Sequence, residues 1–527
     1  NTAMSVNYKR NKAKHTSRRW IIPAIIIVLA IIASIAYLLL KHSPVTRNSA
    51  KLTFDLSVTN GEQQAIINAE KTLSNRIQGQ IKVETVTASN NPNLVLEAYV
   101  PVTSFNSARQ SVSKKDLNEL QIYVPDDTDP IIQKAIAEEL KLKPDKLEAK
   151  SIKPEDLTDE QVLFLPVDQL TSNVKMLGFE GSYYLDDTSK GAVFRQAVFS
   201  DNNTDKLVLN KLPTKASILT VNQTGVTALA RTMQIKLQAN NNPLYFSEKI
   251  APFIASTDIT HTSNEVSFKE GCAYSLTSFC SEPRFIETLK ASGIDVVELT
   301  GNHNNDLGNQ FNADTIRLYH SLGWGTFGGG LNKSEASKPY VVDKKDSKVA
   351  FLGYNYADSS NSGVLATATT AGGNPYDGSK TKSDIEKAHQ QASFVIVDVQ
   401  FSECFAYPNA GYVEFPACDK PVPNQAETFK KLIDDGADMV VGTQAHQPQI
   451  YELYRGKPIY YGLGNLYFDQ TQQPGTERGI ILTHYFSNGK LLQTKLSPTF
   501  YDKALQTHLL AGDKAMEFLQ RLNNSRN

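Results

Sequence analysis

Three short polar clusters in the second half of the chain contain the side chains best suited to chemistry. They are GNHNND at 301–306, QFSE at 400–403 and TQAHQPQ at 443–449. Together they offer carboxylate oxygens, amide oxygens and imidazoles, which are groups that bind divalent cations and transfer protons. Each cluster by itself could equally be a polar loop after a strand, so the surrounding elements must decide whether the clusters meet.

Each polar cluster closely follows an apolar, β-branched segment typical of a buried strand. These segments are DVVELT, FVIVD and DMVVG, and helix-like stretches such as NADTIRLYHSL and AETFKKLIDD alternate with them. Such alternation predicts an α/β fold with a parallel sheet covered by helices. Ligands gather beyond the carboxyl ends of the strands in folds of this kind. The sequence therefore predicts that the three clusters converge at one edge of a sheet.

The preceding region, 52–213, is predicted to be a separate α/β domain of unknown role. Its strand-like stretches are FDLSV, IKVETVTA, LVLEAYV, LQIYV and VLFLPV, and helix-like EQQAIINAEKTLSNRI and PIIQKAIAEELKL lie between them. No motif in this region indicates a particular chemistry. The polar stretch SDNNTDK at 200–206 precedes the start of the second predicted domain, 214–527.

The N-terminal region has the pattern of a membrane anchor. A basic tail at 1–19 precedes the apolar run 20–40, whose length of about 30 Å as a helix matches a bilayer core. The excess of Lys and Arg before the run predicts a cytoplasmic N-terminus, and residues beyond the linker 41–51 are then outside the cell membrane. A cleaved signal peptide, with Ser34-Ile35-Ala36 as its small-x-small site, and a buried core helix are the alternatives.

The overall charge and the absence of familiar motifs exclude several classes of protein. Lys plus Arg total 54 against 55 for Asp plus Glu, so the net charge of −1 gives no general attraction to nucleic acid. The sequence contains no GxSxG, HExxH or GxxxxGK[ST] motif, which argues against serine hydrolases, zincin proteases and P-loop NTPases.

The four cysteines all lie beyond the apolar run, and none has the CxxC spacing of a zinc site. Four cysteines permit three pairings, which sequence alone does not distinguish. The two short-range pairs, Cys272 with Cys280 and Cys404 with Cys418, would each close one loop. Disulfides of this kind are typical of an exported domain.

Four stretches of the second domain together resemble the CapA family of poly-γ-glutamate capsule proteins, whose domain is similar to calcineurin-like metallophosphoesterases. They are SNEVSF, TGNHNNDLG, TFGGGLNKSEASKPYVV and GTQAHQPQIYELYRGKPIYYGLGNLYF, and TGVTALAR at 224–231 resembles the opening strand and loop. The resemblance covers essentially all of 214–527. It implies a layered α/β sandwich of metallophosphoesterase type.

The resemblance also implies a role for each matched residue. Glu265 would supply a metal-binding carboxylate, Asn302 an amide oxygen and His446 an imidazole ligand. His303 would donate a proton to the leaving group or contact an anion, and Asp306 would orient His303. The implied cofactor is a divalent metal: Mn, Fe, Zn or Mg.

The chain departs from the family pattern at three metal-site positions. Thr224-Gly225 stands where the family has Gly-Asp, and Gln400 and Gln444 each stand where it has His. A neutral amide is a weaker ligand than imidazole or carboxylate, although Glu403 could replace a ligand locally. The depleted set predicts one ion or none in place of a dinuclear centre.

Two functions are consistent with these residues. In the first, a membrane-anchored protein takes part in synthesis, export or anchoring of poly-γ-glutamate or a related capsule polymer, using metal-assisted hydrolysis or transfer. In the second, the protein binds the polymer or acts as a scaffold without catalysis. The expected partners are the polymer itself or its membrane synthesis machinery, and no nucleic acid.

Overall fold

The structure is a computed structural model. It describes residues 52–72, 79–86, 94–143, 145–153, 156–199, 212–356, 363–401, 424–470 and 475–524. Within these ranges, no helix is long and apolar enough to cross a membrane. The predicted basic tail 1–19, transmembrane segment 20–40 and linker 41–51 lie outside the described residues, and so do Glu403 and the Cys404–Cys418 pair.

The first part of the described chain forms an eight-stranded mixed sheet and a small two-stranded sheet. Its elements are β1 (Leu52–Phe54), α1 (Asn60–Thr72), β2 (Gly79–Val86), β3 (Val95–Ser104), β4 (Ser111–Val112), β5 (Gln121–Val124), α2 (Pro130–Glu139), β6 (Leu147–Ala149), β7 (Gln161–Pro166), β8 (Val174–Met176), β9 (Gly178–Phe179) and β10 (Val193–Phe199). The main sheet has the order β1-β2-β10-β3-β7-β5-β6, and β8 pairs with β3. The strand β10 therefore lies between β2 and β3, antiparallel to both.

Side-chain hydrogen bonds cap the N-termini of both helices of this part. Thr59 and Glu62 form a reciprocal cap at α1, in which the amide of Thr59 donates to Glu62 Oε2 at 2.8 Å. Asp129 caps α2 by accepting from the amide of Ile131. The predicted strand FDLSV is shorter than expected because Asp55 accepts hydrogen bonds from the amide and hydroxyl of Ser57, which turns the chain after Phe54.

The second part of the chain contains two further large sheets. Its elements up to the sixth helix are β11 (Leu219–Thr227), α3 (Arg231–Asn240), α4 (Ala251–Ile254), β12 (Ile259–Asn264), α5 (Ile286–Ala291), β13 (Val296–Glu298) and α6 (Asn309–Ser321). They continue with β14 (Gly325–Phe327), β15 (Gly329–Gly330), α7 (Lys333–Ala336), β16 (Tyr340–Lys344), β17 (Ser347–Asn355), β18 (Gly372–Gly373), α8 (Thr381–His389) and β19 (Phe394–Gln400). The last elements are α9 (Gln425–Asp434), β20 (Met439–Thr443), β21 (Tyr451–Tyr454), β22 (Lys457–Tyr460), β23 (Asn465–Tyr467), β24 (Arg478–Ser487), β25 (Lys490–Tyr501), β26 (Thr507–Leu509) and α10 (Gly512–Asn524).

The two large sheets face each other across a shared apolar core. One has the order β14-β13-β12-β11-β24-β25-β26, and the other β16-β17-β19-β20-β22-β21. Strands β11 to β14 are mutually parallel, and so are β17, β19, β20 and β22. Val221 and Val296 of the first sheet share one buried cluster with Phe351, Ile396 and Val441 of the second.

Helices cover the outer faces of this sandwich. Leu237, Leu289 and Ile316, from α3, α5 and α6, pack on the first sheet. Ile385 of α8 and Leu432 of α9 pack on the second. The mixed α/β fold predicted from the alternation of strands and helices is confirmed, and the carboxyl ends of the parallel strands provide one rim on which loops can meet.

The first part of the chain docks against the sandwich through aromatic contacts, a salt bridge between Asp186 and Lys495 and several hydrogen bonds. The ring of Phe105 lies 5.6 Å from that of Tyr451 and 6.3 Å from that of Tyr460. Gln493 accepts a hydrogen bond from the amide of Met176 and donates to the carbonyl of Val174.

Candidate functional site

The predicted site residues lie beyond the carboxyl ends of parallel strands in both sheets. Glu265 directly follows β12, and the turn that contains Asn302 and His303 follows β13. Gln400 is the last residue of β19, and the segment that leads to His446 follows β20. The register of the second sheet pairs Gln400 with Thr443, directly before Gln444. Each polar cluster of the described chain is therefore placed on the rim.

A glycine allows the turn after β13 to pack directly on Glu265. A Cβ at position 301 would lie 2.6 Å from the Cα of Glu265, which no larger residue tolerates. The turn is held by Asn304, whose amide nitrogen donates to the carbonyls of Leu299 and Gly301, both at 3.3 Å. Asn302 follows at once, and its buried Oδ1 has no hydrogen-bond partner among the described residues. The close contact between Gly301 and Glu265 therefore brings Asn302, the next residue, near Glu265.

His303 and Asp306 form an oriented imidazole–carboxylate pair. Nδ1 of His303 lies 2.7 Å from Oδ2 of Asp306, and the same oxygen accepts the backbone amide of Phe279 at 2.7 Å. Because a carboxylate only accepts, the proton of the imidazole resides on Nδ1. The side chains are 23% and 15% exposed, respectively, so solvent reaches this pair.

His446 is buried and neutral. Its Nδ1 lies 2.9 Å from Oδ1 of Asn465, whose amide nitrogen donates to the carbonyl of Thr476, so Nδ1 of His446 is the donor. Burial is the main cause that lowers the pKa of His446 to about 3; the hydrogen bond with Asn465 opposes it, and the charges of His303 and Arg231 add to it. The lone pair is consequently on Nε2, the form of histidine that binds metals.

Arg231 is a site residue that the sequence did not reveal. Its guanidinium carbon lies 5.0 Å from the ring centre of Phe279 and 4.5 Å from that of Phe468. Nη2 is 3.3 Å from Oδ1 of Asp469 and also contacts the Asp469 carbonyl. The backbone of Arg231 has a φ of 51°, a left-handed conformation that costs free energy and clusters at functional sites.

Two aromatic rings connect this guanidinium to both histidines. The ring of Phe279 is 4.2 Å from that of His303, and the ring of Phe468 is 5.0 Å from that of His446. Arg231 contacts both aromatic rings. The one available sequence signal was its position at the end of TGVTALAR, whereas its backbone conformation and ring contacts depend on tertiary packing.

The structure gives a steric reason for the missing carboxylate at position 225. A Cβ on Gly225 would overlap the carbonyl group of Gly464, because β11 and the turn before β23 approach closely there. The amide of Val226 donates to that same carbonyl at 2.9 Å. The backbone of Gly464 therefore occupies the volume that an aspartate side chain at 225 would need.

The two glutamines that the resemblance places at histidine positions contact each other. The amide nitrogen of Gln400 donates to Oε1 of Gln444, and the φ of Gln444 is 77°, again left-handed. Oε1 of Gln400 is buried without a hydrogen-bond partner in the described ranges. Among the residues that the structure describes, no group of three or more His, Cys, Asp and Glu is placed to hold a metal ion.

These donors fit one ion better than two. Glu265, Asn302 and His446 provide one carboxylate, one amide oxygen and one neutral imidazole, a set of three protein ligands like that of open mononuclear sites. A second ion would depend on the two glutamine amides. The dinuclear arrangement does not fit the residues present.

A buried polar layer lies one step below the rim. Nε2 of His261 is 3.1 Å from Oδ2 of Asp398, and Gln223 donates to both oxygens of Asp398 at 2.8 and 2.9 Å. His484 donates to Oε1 of Gln223 at 3.0 Å and accepts from the hydroxyl of Thr494 at 2.9 Å. Gln223 precedes Gly225 by two residues on β11, and Asp398 precedes Gln400 by two residues on β19. This hydrogen-bond network therefore lies directly below positions 225 and 400.

The predicted disulfide between Cys272 and Cys280 is confirmed. It closes the loop between β12 and the helical turn Pro283–Phe285, and this loop carries Phe279 to the site. The chain thus has a covalently closed segment directly beside His303.

The site-bearing region is similar to a family of known proteins. Residues 220–470 match the family model described as bacterial capsule synthesis protein PGA_cap. The capsule biosynthesis protein CapA of Bacillus anthracis is 27% identical over 208 residues, 39% of this chain and 47% of that protein. The PGA biosynthesis protein CapA of Bacillus subtilis (strain 168) is 28% identical over 205 residues, 39% of this chain and 50% of that protein. The CapA resemblance is confirmed, and the chain spans about half the length of these relatives.

Two solved structures also align with the chain. A putative 5'-nucleotidase from Staphylococcus aureus aligns with a TM-score of 0.33 and 12% identity, covering 58% of each chain. The calcineurin-like phosphoesterase YfkN from Bacillus subtilis aligns with a TM-score of 0.30 and 11% identity, covering 59% of this chain and 99% of that one.

Proposed function

We propose that this chain, a relative of the CapA proteins over residues 220–470, takes part in the synthesis, export or anchoring of poly-γ-glutamate or a related anionic capsule polymer. The family match and the names of the curated relatives support this role. The site on the sandwich rim is where the polymer binds.

We further propose that the protein is a single-pass membrane protein with its C-terminal domains outside the cell. The apolar run at 20–40 and the basic residues before it support this topology. The disulfide between Cys272 and Cys280 is consistent with an oxidising compartment. In this arrangement the rim faces a polymer that emerges from membrane synthesis machinery.

The proposed activity at the site is binding, and the packing at position 225 carries this choice. Dinuclear hydrolases clamp both the attacking and the leaving oxygen between two ions. The contact between Gly225 and Gly464 leaves no volume for one ligand, and the amide of Gln400 is engaged with Gln444. The arrangement needed for the two-ion reaction is therefore not available to these residues.

One divalent ion fits the remaining donors. Glu265, Asn302 and His446 would hold it, and when bound it would supply positive charge to which a polymer carboxylate can bind. The supporting observations are the buried Oδ1 of Asn302, which has no hydrogen-bond partner in the part of the chain that the structure describes, and the neutral state of His446.

A second candidate function is hydrolysis or transfer at an amide or phosphoester of the polymer or its precursor. The pair of His303 and Asp306 favours it, because a 2.7 Å contact between an imidazole and a carboxylate orients a general acid. In this case His303 acts as the imidazolium: Nδ1–H stays on Asp306, and the second proton, on Nε2, passes to the leaving group and leaves the neutral imidazole.

The test combines metal analysis with polymer binding on the full chain in detergent. We expect about one Mn or Zn ion per chain by elemental mass spectrometry after dialysis. His446→Ala should lose the ion, and His320→Ala should keep it, because His320 is exposed at the end of α6. Immobilised poly-γ-glutamate should bind the wild type, and a chelator should abolish binding.

The outcomes separate the two candidates. Shortening of the polymer by the wild type but not by His303→Gln would establish the second candidate. Wild-type protein that neither binds nor shortens poly-γ-glutamate, with or without added ions, would refute both.

A further inference from the structure

The loop closed by Cys272 and Cys280 is anchored at both ends. The carbonyl of Cys272 accepts a hydrogen bond from Gln234 of α3. Directly after Cys280, the hydroxyl of Ser281 donates to the carbonyl of Leu229 at 2.7 Å. Both cysteines are buried, so the disulfide belongs to the interior side of the loop.

The loop has an inner and an outer side. Tyr274 and Leu276 are 51% and 68% exposed, whereas Phe279 is only 6% exposed. The neighbour of Phe279 in sequence is the disulfide-bonded Cys280. The covalent closure therefore fixes the one aromatic side chain of the loop that faces the site.

Phe279 makes three separate contacts with site residues. Its backbone amide donates to Oδ2 of Asp306 at 2.7 Å, and its ring lies 4.2 Å from the ring of His303. The third contact is with Arg231, whose guanidinium carbon lies 5.0 Å from the centre of the Phe279 ring. One residue thus touches the carboxylate, the imidazole and the cation of the exposed part of the site.

We propose that Phe279 is a positioning residue, held by the disulfide loop, that fixes the orientation of His303 and Asp306 and the placement of Arg231. The role deepens the proposed function and rests on it in so far as these side chains contact the polymer. The amide of Phe279 and Nδ1 of His303 share one carboxylate oxygen. Displacement of the loop therefore removes a donor from Asp306 and a packing surface from His303 at the same time.

The proposal predicts which variants disturb the site. Phe279→Ala removes the ring but leaves the loop closed, and the double variant Cys272→Ser/Cys280→Ser keeps the ring but opens the loop. Both should displace His303. Leu276→Ala alters the exposed outer side of the same loop and should leave the site unchanged. Phe279→Tyr retains the ring and should preserve the contact.

The experiment is NMR of the full chain in detergent with labelled histidine rings, at one fixed pH. A ring at 4.2 Å shifts the imidazole signals by its ring current, and His303→Gln assigns the signal of His303. We expect this signal to move in Phe279→Ala and in the cysteine double variant, and to stay in place in Leu276→Ala and Phe279→Tyr. In parallel, affinity for poly-γ-glutamate should fall about tenfold in the first two variants, a loss of about 1.4 kcal/mol.

Phe279→Ala also removes the ring current, so the cysteine double variant, which keeps the ring, decides: a folded double variant with an unchanged His303 signal would overturn the positioning role. A displaced His303 signal with unchanged polymer affinity would confine the role to local structure and would overturn its link to polymer binding. If the wild type does not bind the polymer at all, the proposed function fails, and the NMR signals still decide whether Phe279 positions His303.

Discussion

Restoring the family's aspartate at position 225 should destabilise the protein and should not rebuild a metal ligand. The reason is the approach of two backbone segments. A Cβ at 225 overlaps the carbonyl group of Gly464, which belongs to the main chain and cannot rotate away as a side chain could. The strand β11 and the turn before β23 must therefore separate to admit any side chain.

The size of the effect follows from the separation of the strands, which strains the packing and breaks a hydrogen bond, and from the burial of a carboxylate. Separation of the strands strains the packing, at about 1–3 kcal/mol, and loses the hydrogen bond from Val226 to Gly464, at about 1 kcal/mol. The neighbours Thr224 and Val226 are each 1% exposed, so a carboxylate at 225 is buried at a further cost of several kcal/mol. We expect Gly225→Asp to lower the free energy of unfolding by about 4–7 kcal/mol, a large part of the usual total of roughly 5–15 kcal/mol.

Thermal and urea unfolding of the full chain would test this prediction. Gly225→Ala isolates the steric contribution and should cost about 2–4 kcal/mol. Gly363→Ala is the matched control, because a Cβ at 363 meets no atom within 4 Å and should leave stability nearly unchanged. If Gly225→Asp unfolds at the wild-type midpoint and binds an additional metal ion, the steric explanation of the depleted site is wrong.

Three other predictions concern buried groups elsewhere in the chain. Burial, with a smaller contribution from the charge of His261, lowers the pKa of His484 to about 3. Because the unfolded state then takes up the proton first, this contribution to stability is present above about pH 6.5 and is lost as the pH falls towards 3. Chemical unfolding should be measured at pH 7 and at pH 5. Between these pH values the wild type should lose about 2 kcal/mol more of its free energy of unfolding than His484→Asn does, and equal losses would contradict the prediction. Arg195 lies 2.7 Å from Glu62, and Arg195→Met leaves that buried carboxylate without its guanidinium. Urea unfolding should show that the free energy of unfolding falls by about 3–5 kcal/mol. An unchanged free energy of unfolding would mean that the pair is dispensable. The Cys272→Ser/Cys280→Ser variant opens a loop of about nine residues and should lose about 2–3 kcal/mol in the same assay, and an unchanged unfolding midpoint would contradict this.

The sequence predicted the elements of the sandwich well because each has a local cause. DVVELT, FVIVD and DMVVG are short, β-branched apolar runs typical of buried strands, and the structure has β13, β19 and β20 there. The disulfide between Cys272 and Cys280 was among the expected pairings because short loops of this length close easily. These features depend on neighbouring residues in the chain, which is what a sequence pattern records.

The features that sequence reasoning missed depend on contacts between distant segments. Arg231 reaches the site through a left-handed backbone and two rings from residues 279 and 468. The exclusion of a side chain at 225 comes from Gly464, more than two hundred positions away. The insertion of β10 between β2 and β3 likewise has no local signal. Contacts between segments that are distant in the chain cannot be read from hydrophobic periodicity or from the spacing of motifs.

The charges around the site argue that polymer binding and ion binding are linked. Among the described residues that line the site, Glu265, Asp306 and Asp469 provide carboxylates and Arg231 a guanidinium, whose charge is already shared with Asp469 at 3.3 Å. Two unit charges at 4 Å interact by about 4 kcal/mol at the effective dielectric constant of a protein surface. A polymer carboxylate that entered this environment without a cation would therefore be repelled.

A divalent ion reverses that balance, because its two positive charges exceed what one guanidinium provides. The donors that remain after the loss at 225, 400 and 444 are sufficient for one such ion and insufficient for two. On the proposed function, the residues that remain would bind an anionic polymer only together with one cation. Loss of polymer binding on addition of a chelator, and its return when the ion is added back, is the consequence that distinguishes this arrangement from binding by Arg231 alone.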